Sequence, residues 1–237
     1  AINIFIADPL SEDGIAPLRA ATDLDLNIIV DTGLSQEELI SKIADVDVLL
    51  VRSQTTVTRE VIAAATNLKL IGRAGVGVDN IDLTAATERG IIVVNAPDGN
   101  TNSAAEHTIA MMTSLARYIP QAYNSLLNGK WDRKTYVGVE LKNKTLGVVG
   151  FGRIGVEVAH RAKGSRMNVL AYDPFLTEER AQELGVTKAT VEEICEQADF
   201  ITVHTPLLPE TRNLFNKEKF AMMKDGVRLI NCARGGI

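Results

Sequence analysis

Short apolar runs recur along the chain, each followed by a stretch whose apolar residues fall at helical spacing. The runs predict strands at Ile2 to Ala7, Leu26 to Val30, Val46 to Val51, Leu68 to Arg73 and Ile91 to Asn95. They are nearly continuous rather than alternating, as expected of parallel strands buried on both faces. Between them the spacing predicts helices over Ser11 to Ala20, Ser35 to Ala44, Thr58 to Ala65 and Asp82 to Arg89. Each opens on a residue able to cap it, with Ser35 and Asp82 the best placed. Such alternation predicts a sheet covered by helices on both sides.

Ala96-Pro97-Asp98-Gly99-Asn100 interrupts the pattern with turn-forming residues, so a hinge is expected there, with domains at 1–98 and 99–237. A helix is then expected from Ser103 to Tyr118, with Ile109, Met112 and Leu115 or their neighbours on its apolar face. Its length suits either a subunit interface or burial within its own domain, and both remain open. Beyond Trp131 the alternation resumes. Strands are expected at Leu146 to Val149, Met167 to Tyr172, Phe200 to His204 and Val227 to Cys232, and helices at Arg153 to Ala162, Thr177 to Glu183, Val191 to Gln197 and Lys217 to Met223. The expected fold class is α/β, with two doubly wound, Rossmann-like parallel-sheet domains. Because the sequence stops at Ile237 just after an apolar strand, the second domain reads as truncated.

Composition adds mainly exclusions. At 46% hydrophobic and 23% charged, the 237 residues have the balance of an ordinary globular protein. A net charge of −5 argues against a nucleic-acid surface, which needs clustered Lys and Arg. No run is long and apolar enough for a membrane span or a leader, so no membrane partner and a cytoplasmic location are expected. Cys195 and Cys232 have no metal-ligand spacing and cannot form a disulfide framework, so no metal is expected and a reducing compartment is.

The most informative stretch is Gly150-Phe151-Gly152-Arg153-Ile154-Gly155, between an apolar strand and a helical pattern. Gly150 permits the tight turn, Gly152 lets backbone approach a pyrophosphate, and Gly155 lets helix and strand pack closely, while the helix N-terminus offers N–H groups to phosphate. The next strand ends at Asp173, where a carboxylate can accept from the adenosine ribose hydroxyls. The same charge repels a 2′-phosphate and no Arg directly follows it, so NAD is expected rather than NADP.

Further stretches extend the match. They are Val51-Arg52-Ser53, Gly72 to Asn80, Asn95-Ala96-Pro97, Ala105-Glu106-His107-Thr108, Gly129 to Arg133, His204-Thr205-Pro206-Leu207 with Glu210-Thr211, and Asn231 to Gly236. In these the chain resembles the D-2-hydroxyacid dehydrogenase family over nearly its whole length. The resemblance implies that Arg234 is the catalytic arginine, gripping the substrate carboxylate and polarising the carbonyl. It assigns substrate contacts to Arg52, Ser53, Arg73, Gly75, Val76, Gly77, Asn100 and Arg133, the last from a neighbouring subunit. Gly75-Val76-Gly77 would offer backbone N–H groups to the carboxylate, or serve as a tight turn needing positive φ, or both. Val76 stands where close relatives often carry Thr. The cofactor would meet Val76, Gly150, Gly152, Arg153, Ile154, Gly155, Asp173, His204, Thr205, Pro206, Thr211, Cys232, Ala233 and Arg234.

His204 is not expected to be the base, and His107 and His160 are expected to be structural. By resemblance, the catalytic histidine and its carboxylate lie beyond Ile237, as does a segment returning to complete the first domain. The implied substrate is a phosphorylated 2-hydroxy acid. The implied reaction is oxidation of 3-phosphoglycerate to 3-phosphohydroxypyruvate with NAD, the first step of serine synthesis, by a homodimer or homotetramer. On that expectation the 237 residues bind dinucleotide but turn over weakly or not at all. Two alternatives stay open: a dehydrogenase of glycerate or lactate type, and a dimeric corepressor-like scaffold that senses NAD without turnover.

Overall fold

The computed structural model describes residues 1–237, in two compact units, Ala1–Asn100 and Thr101–Ile237. Unit 1 runs β1 (Ile2–Ile6), α1 (Glu12–Ala20), β2 (Leu26–Val30), α2 (Gln36–Lys42), β3 (Val48–Val51), α3 (Arg59–Ala64), β4 (Leu70–Arg73), α4 (Leu83–Glu88) and β5 (Ile92–Asn95). Its strands form a parallel sheet of five in the order β2-β1-β3-β4-β5. Phe5, Leu49, Val51 and Ile71 pack on one face against the helices, with Leu39, Val61, Ile62 and Ala85 buried in the same cluster. Ile4 and Ile6 turn to the other face, against Ile15 of α1. Opposite facing of successive residues follows from the two-residue repeat of a strand. Ser35 caps α2 as expected: its hydroxyl accepts from Glu38 N and the Glu38 carboxylate accepts from Ser35 N, an arrangement whose cap typically contributes about 1 kcal/mol.

Unit 2 runs α5 (Thr101–Arg117), α6 (Ile119–Leu127), β6 (Thr145–Val149), α7 (Arg153–Gly164), β7 (Asn168–Tyr172), α8 (Glu178–Leu184), β8 (Thr187–Lys188), α9 (Val191–Gln197), β9 (Phe200–Val203), α10 (Lys217–Met222) and β10 (Arg228–Asn231). The sheet order is β10-β9-β6-β7-β8, again parallel. From central β6 the chain goes first to β7 on one side and later to β9 on the other. The switch between β6 and β9 opens a crevice at the C-terminal ends of the strands, the place where ligands bind in such sheets. Two parallel sheets clad with helices are the α/β, Rossmann-like architecture the sequence predicted.

Several details differ from expectation. The helix after the hinge ends at Arg117, one residue short of the expected Tyr118, and is followed by a second helix that was not expected. Tyr118 sits in the left-handed region at φ 54°, breaking α5, and α6 then starts on Ile119 and Pro120. Pro120 fits because the first helical N–H groups have no intrahelical partner. The buried stripe of α5 is Ala105, Thr108, Met112 and Ala116, whereas Leu115, expected on the apolar face, is exposed. Small residues on that stripe let α5 come close to α7, whose own buried stripe is Gly155, Val158, Ala159 and Ala162. His107 and His160, expected to be structural, stand on exposed helix faces. The edge strand β8 is two residues long and was not expected. No helix is long and apolar enough to cross a membrane.

Candidate dinucleotide and anion site

In unit 2 the expected residues collect at the C-terminal edge of the sheet. Gly150 ends β6 with φ 92°, and a methyl group built on it would lie 2.7 Å from His204 C and 2.8 Å from Thr205 N. Only glycine lets the turn after β6 touch the end of β9. A methyl group at Gly155 would fall 2.3 Å from Gly150 O, so the third glycine keeps α7 on its strand. Gly152 is different, because a methyl there meets nothing within 4 Å. Its backbone is extended at φ −78° and ψ −159°, and as the N-cap residue of α7 it has no side chain to make a capping hydrogen bond. Open space before an uncapped N-terminus of a 12-residue helix suits a phosphate. Arg153 and Ile154 are the first two residues of α7.

Asp173 follows β7, and both its oxygens are engaged: Oδ2 accepts from Phe151 N and Oδ1 from Phe175 N, each at 2.9 Å. Each oxygen keeps a lone pair for a sugar hydroxyl. Phe151, Gly152, Asp173, Phe175 and Arg180 border a pocket of about 330 Å³. Arg180 escaped the sequence reading because it stands in α8 rather than directly after Asp173. Its guanidinium is paired with Glu183 at 2.9 Å.

On the far side of the crevice, His204 Nε2 lies 2.9 Å from the Thr202 hydroxyl. Burial drives the His204 pKa from its ordinary value of 6.5 down to about 4, so the ring is neutral near pH 7. Thr205 has a buried hydroxyl without a hydrogen-bond partner. Thr211 knits the following loop, donating to Pro206 O at 2.6 Å and accepting from Leu208 N at 2.8 Å. Beyond β10, Arg234 Nη1 donates to Ala233 O at 2.9 Å. Asn231 braces that turn, its Nδ2 donating to Arg234 O at 2.8 Å and its Oδ1 accepting from Ala233 N at 3.0 Å. The sequence reading gave Asn231 no role of its own. Cys232 is half-buried, its thiol 3.8 Å from Met111 Sδ.

In unit 1, Arg52 follows β3 and Arg73 ends the adjacent β4, where it is paired in register with Val51. Both line a cavity of about 550 Å³ with Ser11, Leu50, Val94 and Asn95. A methyl at Gly75 would sit 1.7 Å from Arg73 Nη1. That atom is the far end of a flexible side chain and can move aside, and Gly75 has no positive φ, so the expectation of a turn needing positive φ is corrected at Gly75. Asn95 Nδ2 donates to Val76 O at 2.7 Å, and Ala96 N to Gly75 O at 3.0 Å, fixing the Gly75–Gly77 loop. Arg73 Nε is buried with no partner, an unmet donor at the cavity wall. Ser53 is exposed beside Arg52, and Asn100 is exposed at the end of the unit. Arg133 is exposed in the loop after α6, outside the strand-end cluster.

Residues 109–237, more than half of the chain, match the family model described as "D-isomer specific 2-hydroxyacid dehydrogenase, NAD binding domain". The chain belongs to the D-isomer specific 2-hydroxyacid dehydrogenases. It is 53% identical over 236 residues to a D-3-phosphoglycerate dehydrogenase of Archaeoglobus fulgidus, covering 100% of this chain and 44% of that protein. It is 54% identical over 234 residues to the D-3-phosphoglycerate dehydrogenase of Bacillus subtilis, covering 99% of this chain and 44% of that protein. The chain thus spans less than half the length of these curated relatives. Among solved members of the family, the NAD+-bound 3-phosphoglycerate dehydrogenase of Entamoeba histolytica superposes with TM-score 0.83 at 31% identity, covering 100% of this chain and 73% of that one. The D-lactate dehydrogenase of Aquifex aeolicus, solved with NAD and lactic acid, gives 0.85 at 32%, covering 99% and 69%.

Proposed function

We propose that the chain serves an NAD-dependent D-3-phosphoglycerate dehydrogenase, with the dinucleotide site in unit 2 and anion-binding groups of the substrate site in unit 1. The turn Gly150–Gly155 carries this reading: one glycine bound by φ and close approach, one by helix packing, and one facing open space at an uncapped helix N-terminus. Bound NAD supplies the hydride acceptor for conversion of a 2-hydroxy acid to a 2-keto acid.

The chain's own residues bind and orient. The N–H groups opening α7, with Arg153 and Ile154, take the pyrophosphate, and Asp173 takes the ribose hydroxyls. His204, Thr205, Pro206, Thr211, Cys232 and Ala233 border the remainder of the dinucleotide. In unit 2, Arg234 is assigned the substrate carboxylate; in unit 1, the backbone N–H groups of Val76 and Gly77, with Ser53 and Asn100, are assigned polar contacts to an anion, while the Gly75 N–H is already given to Arg73 O at 2.9 Å. Arg52 and Arg73 take the phosphate, each charge-assisted bond being worth roughly 1.5–3 kcal/mol. The unmet Arg73 Nε and the cavity shared with Arg52 support a dianionic rather than an apolar substrate.

A second copy of the chain is proposed to cover the exposed apolar residues Ile119, Tyr123, Leu126 and Leu127 of α6, with Trp131 beyond them. Arg133, in the same stretch, would then act in the partner's site. Unpaired Cys195 and Cys232 fit a reducing, cytoplasmic compartment.

Titration calorimetry tests the reading directly. NADH should bind, and 3-phosphoglycerate should bind at least about tenfold tighter than D-glycerate, a difference of about 1.4 kcal/mol. Absence of any heat with NADH would overturn the dinucleotide assignment, and equal binding of the two acids would move the substrate to the glycerate or lactate class.

A further inference from the structure

The chain between β3 and α3 turns through Arg52, Ser53, Gln54 and Thr55 and is held from two sides. On one, the carboxylate of Asp8, just beyond β1, accepts from Arg52 N at 2.5 Å, from Thr55 N at 3.1 and 3.2 Å, and from the Thr55 hydroxyl at 2.6 Å. On the other, Asn80 Nδ2 donates to Arg52 O and Thr55 O, both at 2.7 Å. Asp8 is 1% exposed and is the only carboxylate among the buried residues.

A buried carboxylate is costly unless its lone pairs are filled by donors. Here three donors converge on its two oxygens, and an amide could match them only by leaving Thr55 N on its longer 3.2 Å contact and sending the Thr55 hydroxyl proton to Ala7 O, 3.4 Å away. Its charge also lies beneath the backbone that carries Arg52, where Coulomb's law opposes an anionic ligand. A negative group in that place is useful only if the order it imposes on the loop outweighs the repulsion.

We propose that Asp8, assisted by Asn80, is the positioning residue of the anion site in unit 1, fixing the Arg52–Thr55 backbone so that Arg52 and Ser53 are presented to a phosphate-bearing ligand already ordered. This deepens the proposed function and rests on its assignment of Arg52 to an anionic ligand. Preorganisation strengthens binding by removing the ordering cost from the association step.

The two effects have opposite signs in one variant. Asp8→Asn removes the repelling charge, which by electrostatics alone tightens anion binding, but it also replaces charge-assisted bonds to the loop by weaker neutral ones and moves the Thr55 hydroxyl toward Ala7 O, which by positioning weakens it. The experiment is calorimetric titration of 3-phosphoglycerate into the parent chain, Asp8→Asn, Thr55→Val, Thr55→Ser and Arg52→Gln, with the NADH Kd and the melting temperature of each as controls. The expected result is about tenfold weaker binding for Asp8→Asn, severalfold weaker for Thr55→Val and parental binding for Thr55→Ser, with the NADH Kd within twofold throughout. If Asp8→Asn does not fold, the Thr55 pair carries the test through the same carboxylate. Parental or tighter binding in Asp8→Asn or Thr55→Val, beside weakened binding in Arg52→Gln, overturns the proposal alone, even if melting temperatures fall. No effect in Arg52→Gln overturns the anion-site assignment and the proposal with it.

Discussion

Gly152 and Gly155 stand three residues apart, yet their replacement by Ala should have opposite signatures. A Cβ at Gly155 would lie 2.3 Å from Gly150 O and 3.2 Å from Val148 Cγ1. The first contact falls well inside van der Waals distance, so α7 must move by roughly 1 Å or the turn must open. Val158, Ala159 and Ala162 are buried on the same helix and would be displaced with it. Overpacking of this kind costs about 1–3 kcal/mol. At about 2–4 °C per kcal/mol for a domain of this size, the melting temperature should drop by roughly 2–12 °C. At Gly152 the added methyl meets no atom of the protein and the backbone angles suit Ala. Gly152→Ala should therefore melt within about 1–2 °C of the parent, because replacing Gly in a permitted conformation also lowers the entropy of the unfolded chain. The methyl would nevertheless occupy the space assigned to the pyrophosphate. NADH affinity should fall at least about tenfold, or about 1.4 kcal/mol. Differential scanning calorimetry with NADH titration reads both quantities. Parental NADH binding by Gly152→Ala would refute the placement of the pyrophosphate, and an unchanged melting temperature in Gly155→Ala would refute the packing argument.

Three other outcomes follow from the geometry. His204 has a folded-state pKa of about 4 against an ordinary 6.5, so between those values the unfolded chain binds more protons. The folding stability linked to it is complete above about pH 6.5 and declines by up to about 2–3 kcal/mol as pH falls toward 4. Denaturant titrations of parent and His204→Asn should converge over that window, and parallel pH curves would contradict the burial argument. Asp173→Asn keeps one acceptor for Phe151 N whereas Asp173→Ala keeps none, so NADH binding should weaken by about tenfold in the first and further in the second; equal affinity in all three would remove Asp173 from the site. Leu127→Glu places a charge in the exposed apolar face of α6 and should leave the chain monomeric by analytical ultracentrifugation, whereas a retained dimer would locate the interface elsewhere.

The parts of the fold legible in the sequence were those written locally. β6, the glycine turn and α7 could be read because an apolar strand run changes to helical spacing across glycines whose roles are separable. The capping box of α2 needs only Ser35 and Glu38, three residues apart. What could not be read depends on distant partners. Asp8 between Ala7 and Pro9 looks like the end of a strand, and its role appears only when Arg52 and Thr55 arrive from more than forty residues away. The end of α5 is legible to within a residue, but α6 is not, because nothing in the residue type of Tyr118 announces the left-handed backbone from which a second helix starts. Leu115 was assigned to the buried face by spacing alone, but close contact with α7 selects the stripe with small residues, Ala105 and Ala116, over the one with larger side chains. Arg180 is not legible beside Asp173 in the sequence because it reaches the same pocket from α8.

Under the proposed assignment of Asp173 to the ribose, its hydrogen bond from Phe151 N would couple coenzyme choice to the mechanical integrity of the loop. Any redesign for a 2′-phosphorylated dinucleotide must dispense with this acid, and in doing so it unties the turn that every dinucleotide needs. A neutral acceptor of similar reach at residue 173, with Arg180 released from Glu183 to meet the extra phosphate, would relax the preference while keeping the turn tethered.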